Sequence, residues 1–307
     1  MKDMRKKRTL QNLLALMLIL IVGSGAAGCG PNNTEDPVEP GVFRGDRAFG
    51  DLEAQLDFGP RHPGSVGHKQ IRKWLADELD RAGWDVEVQE GELQGQPIYN
   101  LIATREDAEA HLLLGAHYDT REFADQDPDS ELRDEPVPGA NDSASGVAVL
   151  LELARVLPPG QDPAVRLVFF DAEDNGRIQG QDWILGSRYY AGTMDEHPEA
   201  VVILDMIGDQ ELNIFQERTS TGWLREQIWQ SAADLGYDRY FLDSEKYSIL
   251  DDHTPFLEAG VPAVDVIDFD YPAWHTTGDT LDKVSQESLQ IVGETILRWL
   301  ETYHSPD

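Results

Sequence analysis

Four runs of this chain are apolar almost throughout: HLLLGAH, VRLVFFD, AVVILDMIG and AVDVIDF. Runs this short and this uniformly hydrophobic read as strands covered on both faces, since a strand open to water on one side would alternate. Between them lie stretches with apolar residues at helical spacing. These are Ser143–Val156, QDWILGSRYYAGTM, TGWLREQIWQSAADLG and a last helix near 285–303 with Leu289, Val292, Ile296, Leu297 and Leu300 on one face. Strands alternating with helices predict an α/β fold built on a mainly parallel sheet. Upstream, SVGHKQIRKWLADELDRAGW predicts a helix through Ile71, Trp74, Leu75 and Leu79. WDVEVQEG and IYNLIATR predict two alternating strands joined by a turn.

Several of these apolar runs stop at a group that can bind metal. LLLGAHYDT supplies His117 and Asp119, LVFFDAED supplies Glu173 and Asp174, and VVILDMIGD supplies Asp205. Two loops add Asp142 in PGANDSASG and His275 in PAWHTTGDT. Open α/β sheets keep their sites at the strand ends. Imidazole and carboxylate without cysteine is a donor set of catalytic zinc, which takes about three protein ligands and leaves one position open. Any single one of these residues is more commonly a cap, a turn residue or a structural histidine; their joint occurrence is what predicts a metal site. Glu173 and Asp174 are adjacent, so one can bind metal while the other moves protons. Asp142 directly precedes a predicted helix, whose amides are expected to stabilise its ionised form. Asp119 is expected to orient His117.

The N-terminus carries five basic residues and one acid before an apolar run from Leu13 to Val22 and the small residues GSGAAGCG. That pattern is an export signal, too short for a comfortable membrane span. Cys29, the only cysteine, resembles the acylated residue of a bacterial lipoprotein, which implies a lipid anchor to the cell envelope, in the periplasm or on the outer surface. Residues 1–28 are thus expected to be removed, 29–45 to form a flexible tether, and 46–307 to form one catalytic domain. The net charge of −32 disfavours nucleic acid and anionic membrane. The acidic stretch from Asp125 to Glu135 is expected to be a solvated loop with poor site candidates.

From about Gly59 to the C-terminus the motifs GPRHPGSVGH, AHYDT, NDSASG, FFDAED, LGSRYYA, LDMIG, DDHTPFLEAGVP and AWHTTGDTLD resemble the M28 family of zinc exopeptidases. Within it they are most similar to the glutaminyl-peptide cyclotransferases. The resemblance implies a three-layer α/β/α sandwich with a mixed, mostly parallel sheet. It implies one zinc on Asp142, Asp174 and His275, Glu173 as proton shuttle, and an acidic network of Asp205 and Asp251 sharing a proton. Trp274 is expected to wall the substrate side chain, with core packing nearly as well supported. The substrates implied are peptide or protein N-termini. Family aminopeptidases use nearly the same residues and hold a second zinc through positions matching His117 and Asp205, bridged by Asp142. That alternative stays open, as does a non-catalytic zinc-containing binding lipoprotein. Asp265 stands where animal cyclases have a histidine, so no role is carried over to it. His253 is expected near the acidic network rather than on the metal.

Overall fold

A computed structural model describes residues 38–105, 111–161 and 163–306. The expected export signal, Cys29 and the first part of the expected tether lie outside the described residues. The chain joins the fold earlier than expected. Gly41 N donates to the Val156 carbonyl and the Phe43 ring is buried, so residues 41–45, expected in a flexible tether, belong to the fold.

The elements are α1 (Gly45–Leu56), α2 (Val66–Arg81), β1 (Asp85–Leu93), β2 (Gln96–Thr104), β3 (Leu112–His117), α3 (Ala144–Val156), β4 (Val165–Phe170) and α4 (Leu185–Thr193). Then come β5 (Ala200–Asp205), β6 (Ile214–Gln216), α5 (Gly222–Asp234), β7 (Phe241–Glu245), α6 (Thr254–Glu258), β8 (Ala263–Ile267) and α7 (Gln286–Thr302). Helix α1, the short α6 and the two-stranded β6–β7 pair are not among the predicted elements, although Phe49, Leu52 and Leu56 of α1 stand at helical spacing. Two predicted elements are shorter than expected because a non-glycine residue turns left-handed at the boundary. Ile184 (φ 57°) delays the start of α4, and Met206 (φ 47°) stops β5 at Asp205.

The main sheet runs β1-β2-β4-β3-β5-β8, with β4, β3, β5 and β8 parallel and the β1–β2 hairpin antiparallel at one edge. This is the mixed, mostly parallel α/β sheet expected. Alternate residues serve two cores. Leu112, Leu114, Leu167, Phe169, Val202, Leu204, Val264 and Val266 pack with residues of α1, α2, α3, α5 and α7. Leu113, Val168, Phe170, Val201, Ile203 and Ala263 pack against Tyr190 of α4 and Phe256 of α6. Gly115 in β3 is required by this second packing, because a Cβ there would come within 2.6 Å of the Phe170 ring.

From β3 the chain passes to β4 on one side, then returns across β3 to β5 on the other. The crevice at the C-terminal end of β3 is therefore the switch point where such sheets bind ligands. His117 ends β3, Glu173 and Asp174 follow β4, and Asp205 ends β5, so the topology alone gathers four of the expected residues there.

Candidate metal centre

Three non-glycine residues in left-handed conformation shape the turns that present these groups: Ala172 (φ 52°) before Glu173, Met206 (φ 47°) after Asp205, and His275 itself (φ 56°). Such backbone costs of order 1–3 kcal/mol each and persists where surrounding structure fixes it, commonly at functional sites. Here the fixing groups are visible. Asp119 Oδ1 accepts from Glu173 N at 3.0 Å and Oδ2 from Asp174 N at 3.3 Å. Asp279 Oδ2 accepts from Asp142 N at 3.1 Å, while Oδ1 accepts from Asn141 N at 2.8 Å and from the Tyr271 hydroxyl at 2.6 Å.

Donor atoms of Asp142, Asp174 and His275 all lie within 4.8 Å of one another, and all three residues are buried. His275 Nε2 is 2.8 Å from Asp174 Oδ1 and 3.8 Å from Asp142 Oδ2. A second group shares Asp142: His117 Nε2 sits 3.1 Å from both Asp142 Oδ1 and Asp205 Oδ1. Asp174 Oδ2 is buried with no hydrogen-bond partner, an arrangement that native structures avoid unless an ion or water completes it. Two carboxylates and an imidazole, with one oxygen left bare, fit a divalent metal ion. Glu173 belongs to neither group. It lines a cavity of about 400 Å³ together with Asp142, Asp174, Asp205, Asp251 and His275.

The charges follow from burial. Burial first, then the charges of Asp174, Asp251 and Asp252, hold Glu173 well above its ordinary value. Burial and the neighbouring Asp142 push Asp174 up to about 6. Burial pushes Asp205 up to about 6 against the pull of its His117 hydrogen bond. Burial and Asp205 push Asp251 up to about 7. Burial would also raise Asp142, but the His117 hydrogen bond and the two imidazole charges win and hold it below the usual range. Burial alone would lower His117, and the carboxylates of Asp119, Asp142 and Asp205 overrule it.

Three expectations are corrected, at Asp142, at Asp119 and in the acidic loop. The Asp142 carboxylate faces the two imidazoles rather than the helix amides: α3 begins at Ala144, and Ser143 makes no side-chain cap. Asp119 spends its hydrogen bonds on the Glu173–Asp174 backbone and stands 3.6 Å from His117 Nδ1, too far to orient it by a hydrogen bond. Asp205 Oδ1 bonds His117, and the charge of Asp205 helps raise Asp251. The acidic loop is partly an anchor. Asp125 takes the Arg121 guanidinium at 2.7 and 2.9 Å and lies 3.7 Å from His275 Nδ1, and buried Asp127 accepts from Thr277 N and Oγ1.

Trp274 serves both readings. It stacks on His275 with ring centroids 3.7 Å apart, packs edge-on against Phe269, and remains half-buried on the cavity wall. Sequence reasoning missed Trp183, whose ring lies near-parallel to His275 at 5.7 Å between centroids, under the Arg121 guanidinium. It also missed Asp279, which stands four residues after His275 inside the AWHTTGDTLD motif. His68 is buried and bonds Asp171 at 2.6 Å, and Asp171 Oδ2 accepts from Tyr99 N at the base of the Glu173 turn.

The sequence pattern of peptidase family M28 matches residues 100–300. A glutaminyl-peptide cyclotransferase of the snake Boiga irregularis is 31% identical over 284 residues, spanning 77% of this chain and 75% of the snake protein. The crystal structure of Porphyromonas gingivalis glutaminyl cyclase superposes with a TM-score of 0.80 at 32% identity, covering 85% of this chain and 99% of that one. The structure of a Zn-dependent exopeptidase from Parabacteroides distasonis gives 0.80 at 32% identity, covering 86% and 99%. Fold, motif order and relatives agree that the chain belongs to peptidase family M28.

Proposed function

We propose that this protein is a zinc-dependent glutaminyl-peptide cyclotransferase, which closes the N-terminal glutamine of a peptide to pyroglutamate and releases ammonia. The donor sets alone do not choose the reaction, because the Asp142–Asp174–His275 and His117–Asp142–Asp205 groups are both present. The observation that carries the choice is Asp251, the first acid of DDHTPF, which lines the same small cavity as Glu173 and helps hold Glu173 above its ordinary value. A carboxyl poised high is suited to trade a proton with an α-amine, whose own value is near 8.

Asp142, Asp174 and His275 would hold the ion. Zinc there would supply Lewis acidity to polarise the γ-carboxamide of the glutamine. The chain's own groups do the rest. Trp274, Trp183 and Phe269 wall the cavity and seat the glutamine side chain away from water. Glu173 takes a proton from the α-amine as its nitrogen attacks the γ-carbonyl carbon, then returns that proton to the departing ammonia. Water is not a reactant.

The alternative, hydrolysis of the first peptide bond with two metals, is favoured by the intact His117–Asp142–Asp205 group. The test is to offer one peptide with N-terminal glutamine and one with N-terminal leucine to the full protein. Pyroglutamate plus one ammonia per turnover from the first, with the second untouched, supports the cyclase. Free N-terminal amino acids identify a peptidase and overturn the reading. The lipid anchor at Cys29 in the cell envelope is part of the same proposal, and a Cys29→Ser variant is expected to leave the membrane fraction.

A further inference from the structure

Six acids line the catalytic cavity, but only one lysine or arginine does, Arg177. Burial locates the mouth of this cavity. Glu173 and Asp174 are buried, whereas Arg177, Asp182 and Leu250 line the same space and are exposed to solvent. A peptide whose first side chain reaches the His275 group therefore leaves past these three residues. Their partners set the guanidinium apart. Asp182 is occupied, since its Oδ2 accepts from the Gln94 side-chain amide at 2.6 Å. Arg177 has neither an ion pair nor a side-chain hydrogen bond among the described residues, in a chain with 57 acids to 25 lysines and arginines. The backbone that displays it is held in place. Arg177 (φ 67°) and Gln179 (φ 51°) are both left-handed. Arg177 N donates to the Gln181 carbonyl at 2.7 Å, Ile178 N donates to the Asn175 carbonyl at 3.1 Å, and the Ile178 side chain is buried. The Asn175 side chain in turn accepts from Glu122 N at 2.8 Å and donates to the Thr120 carbonyl at 3.3 Å. Backbone of this kind persists where its surroundings fix it, and it recurs at ligand clamps.

We propose that Arg177 sets specificity for the residues that follow the N-terminal glutamine, favouring peptides in which the second and third residues are acidic. This deepens the cyclase reading and rests on it for the identity of the first residue. With that residue inside the cavity, an extended chain advances about 3.5 Å per residue, so the next two side chains cross the rim. A guanidinium is a planar fork that grips a carboxylate through two hydrogen bonds, and it gives up its hydration more readily than an ammonium does. The field of the whole molecule pulls the other way. A net charge of −32 draws cationic peptides from a distance, and salt at about 0.1 M screens that attraction beyond about 10 Å. Arg177 acts only on contact, so the two influences can be separated by experiment.

The test uses the full protein loaded with zinc and two peptides, Gln-Glu-Glu-amide and Gln-Lys-Lys-amide, amidated so that only side-chain charge distinguishes them. The glutamate-to-lysine ratio of kcat/KM for pyroglutamate formation is measured in the wild type and in Arg177→Gln. Dividing the first ratio by the second cancels the field common to both proteins. The quotient should be about 5, carried by KM and shrinking as salt is added. Arg177→Glu should move the ratio further in the same direction. A merely structural role would weaken both peptides alike, so a quotient of 1 overturns the proposal. A quotient of 1 together with a ratio that rises in Asp182→Asn gives the rim to Asp182 instead. The two readings fail separately. Pyroglutamate formed with a quotient of 1 removes only the role of Arg177, whereas no pyroglutamate from either peptide removes the cyclase reading. In that second case the same quotient, taken from the affinities of the two peptides for the wild type and Arg177→Gln, still decides whether Arg177 reads acidic residues.

Discussion

The groups around His275 and around His253, the latter with Asp251 and Asp265, are built from the same chemistry, acids and an imidazole, yet they differ in what faces them. The His275 group opens onto a cavity of about 400 Å³, is flanked by two tryptophans, and has backbone donors and an arginine fork fixing its turns. In the His253 group only Asp251 reaches that cavity, and both carboxylate oxygens of Asp265 meet no donor. Access separates a centre that can exchange substrate from a cluster that acts on it through charge. Depth along the strand decides access: Asp205 ends β5, whereas Asp265 lies inside β8.

The largest effect should come at the open group. Glu173→Gln keeps the shape of the side chain but cannot accept a proton, and turnover should fall about 10³-fold with bound metal unchanged. Steady-state rates and metal content on the same preparation check this, and an active variant would show that the proton moves through another group. Asp119→Ala comes next. It strips the acceptor from two buried amides, so denaturant unfolding should show a loss of about 3 kcal/mol. A loss under about 1 kcal/mol would mean that the Glu173 turn is fixed by something else. Asp125→Asn weakens the Arg121 fork beside His275, and metal affinity measured by chelator competition should drop about 10-fold. If affinity at the His275 group is unmoved, the contrast between an anchored and an unanchored centre fails.

The smallest effect tests a buried acid outside both groups. Burial pushes Asp268 up to about 7 against the amides of Asn213 and Asp270 that it accepts. The folded chain then holds this proton more tightly than the unfolded one, whose value is near 4. The contribution is complete below about pH 4 and is lost as pH rises through about 7. The stability of the wild type relative to Asp268→Asn should therefore decline across that window by about 1–3 kcal/mol, read from denaturant midpoints. A flat difference would show the carboxylate ionised throughout.

Much of this was legible in the sequence because strands buried on both faces leave unbroken apolar runs. Each such run ends where the sheet ends, so the residues after HLLLGA, VRLVFF and AVVIL announced their own place. The acids of the 125–135 loop misled because composition reports charge and not contact: Asp125 and Asp127 look solvated until the fold brings Arg121 and Thr277 to them. Trp183 could not be read because the segment before α4 is irregular and its stacking partner is 92 positions away. Asp119 was placed at the right site for the wrong reason. Proximity to His117 along the chain suggested a partner, while the turn after β4 supplied two amides at better distance.

The left-handed residues Ala172, Met206 and His275 bear on how this enzyme could be altered for use at high temperature. Position 172 is the only one of the three whose side chain is a lone methyl, so glycine there relaxes the backbone at little cost in packing. A protein altered in that way would rest its Glu173 turn on the Asp119 carboxylate and on the Ile184 and Leu185 amides that reach the Glu173 and Ala172 carbonyls, and durability and catalytic precision would then be traded at a single methyl group.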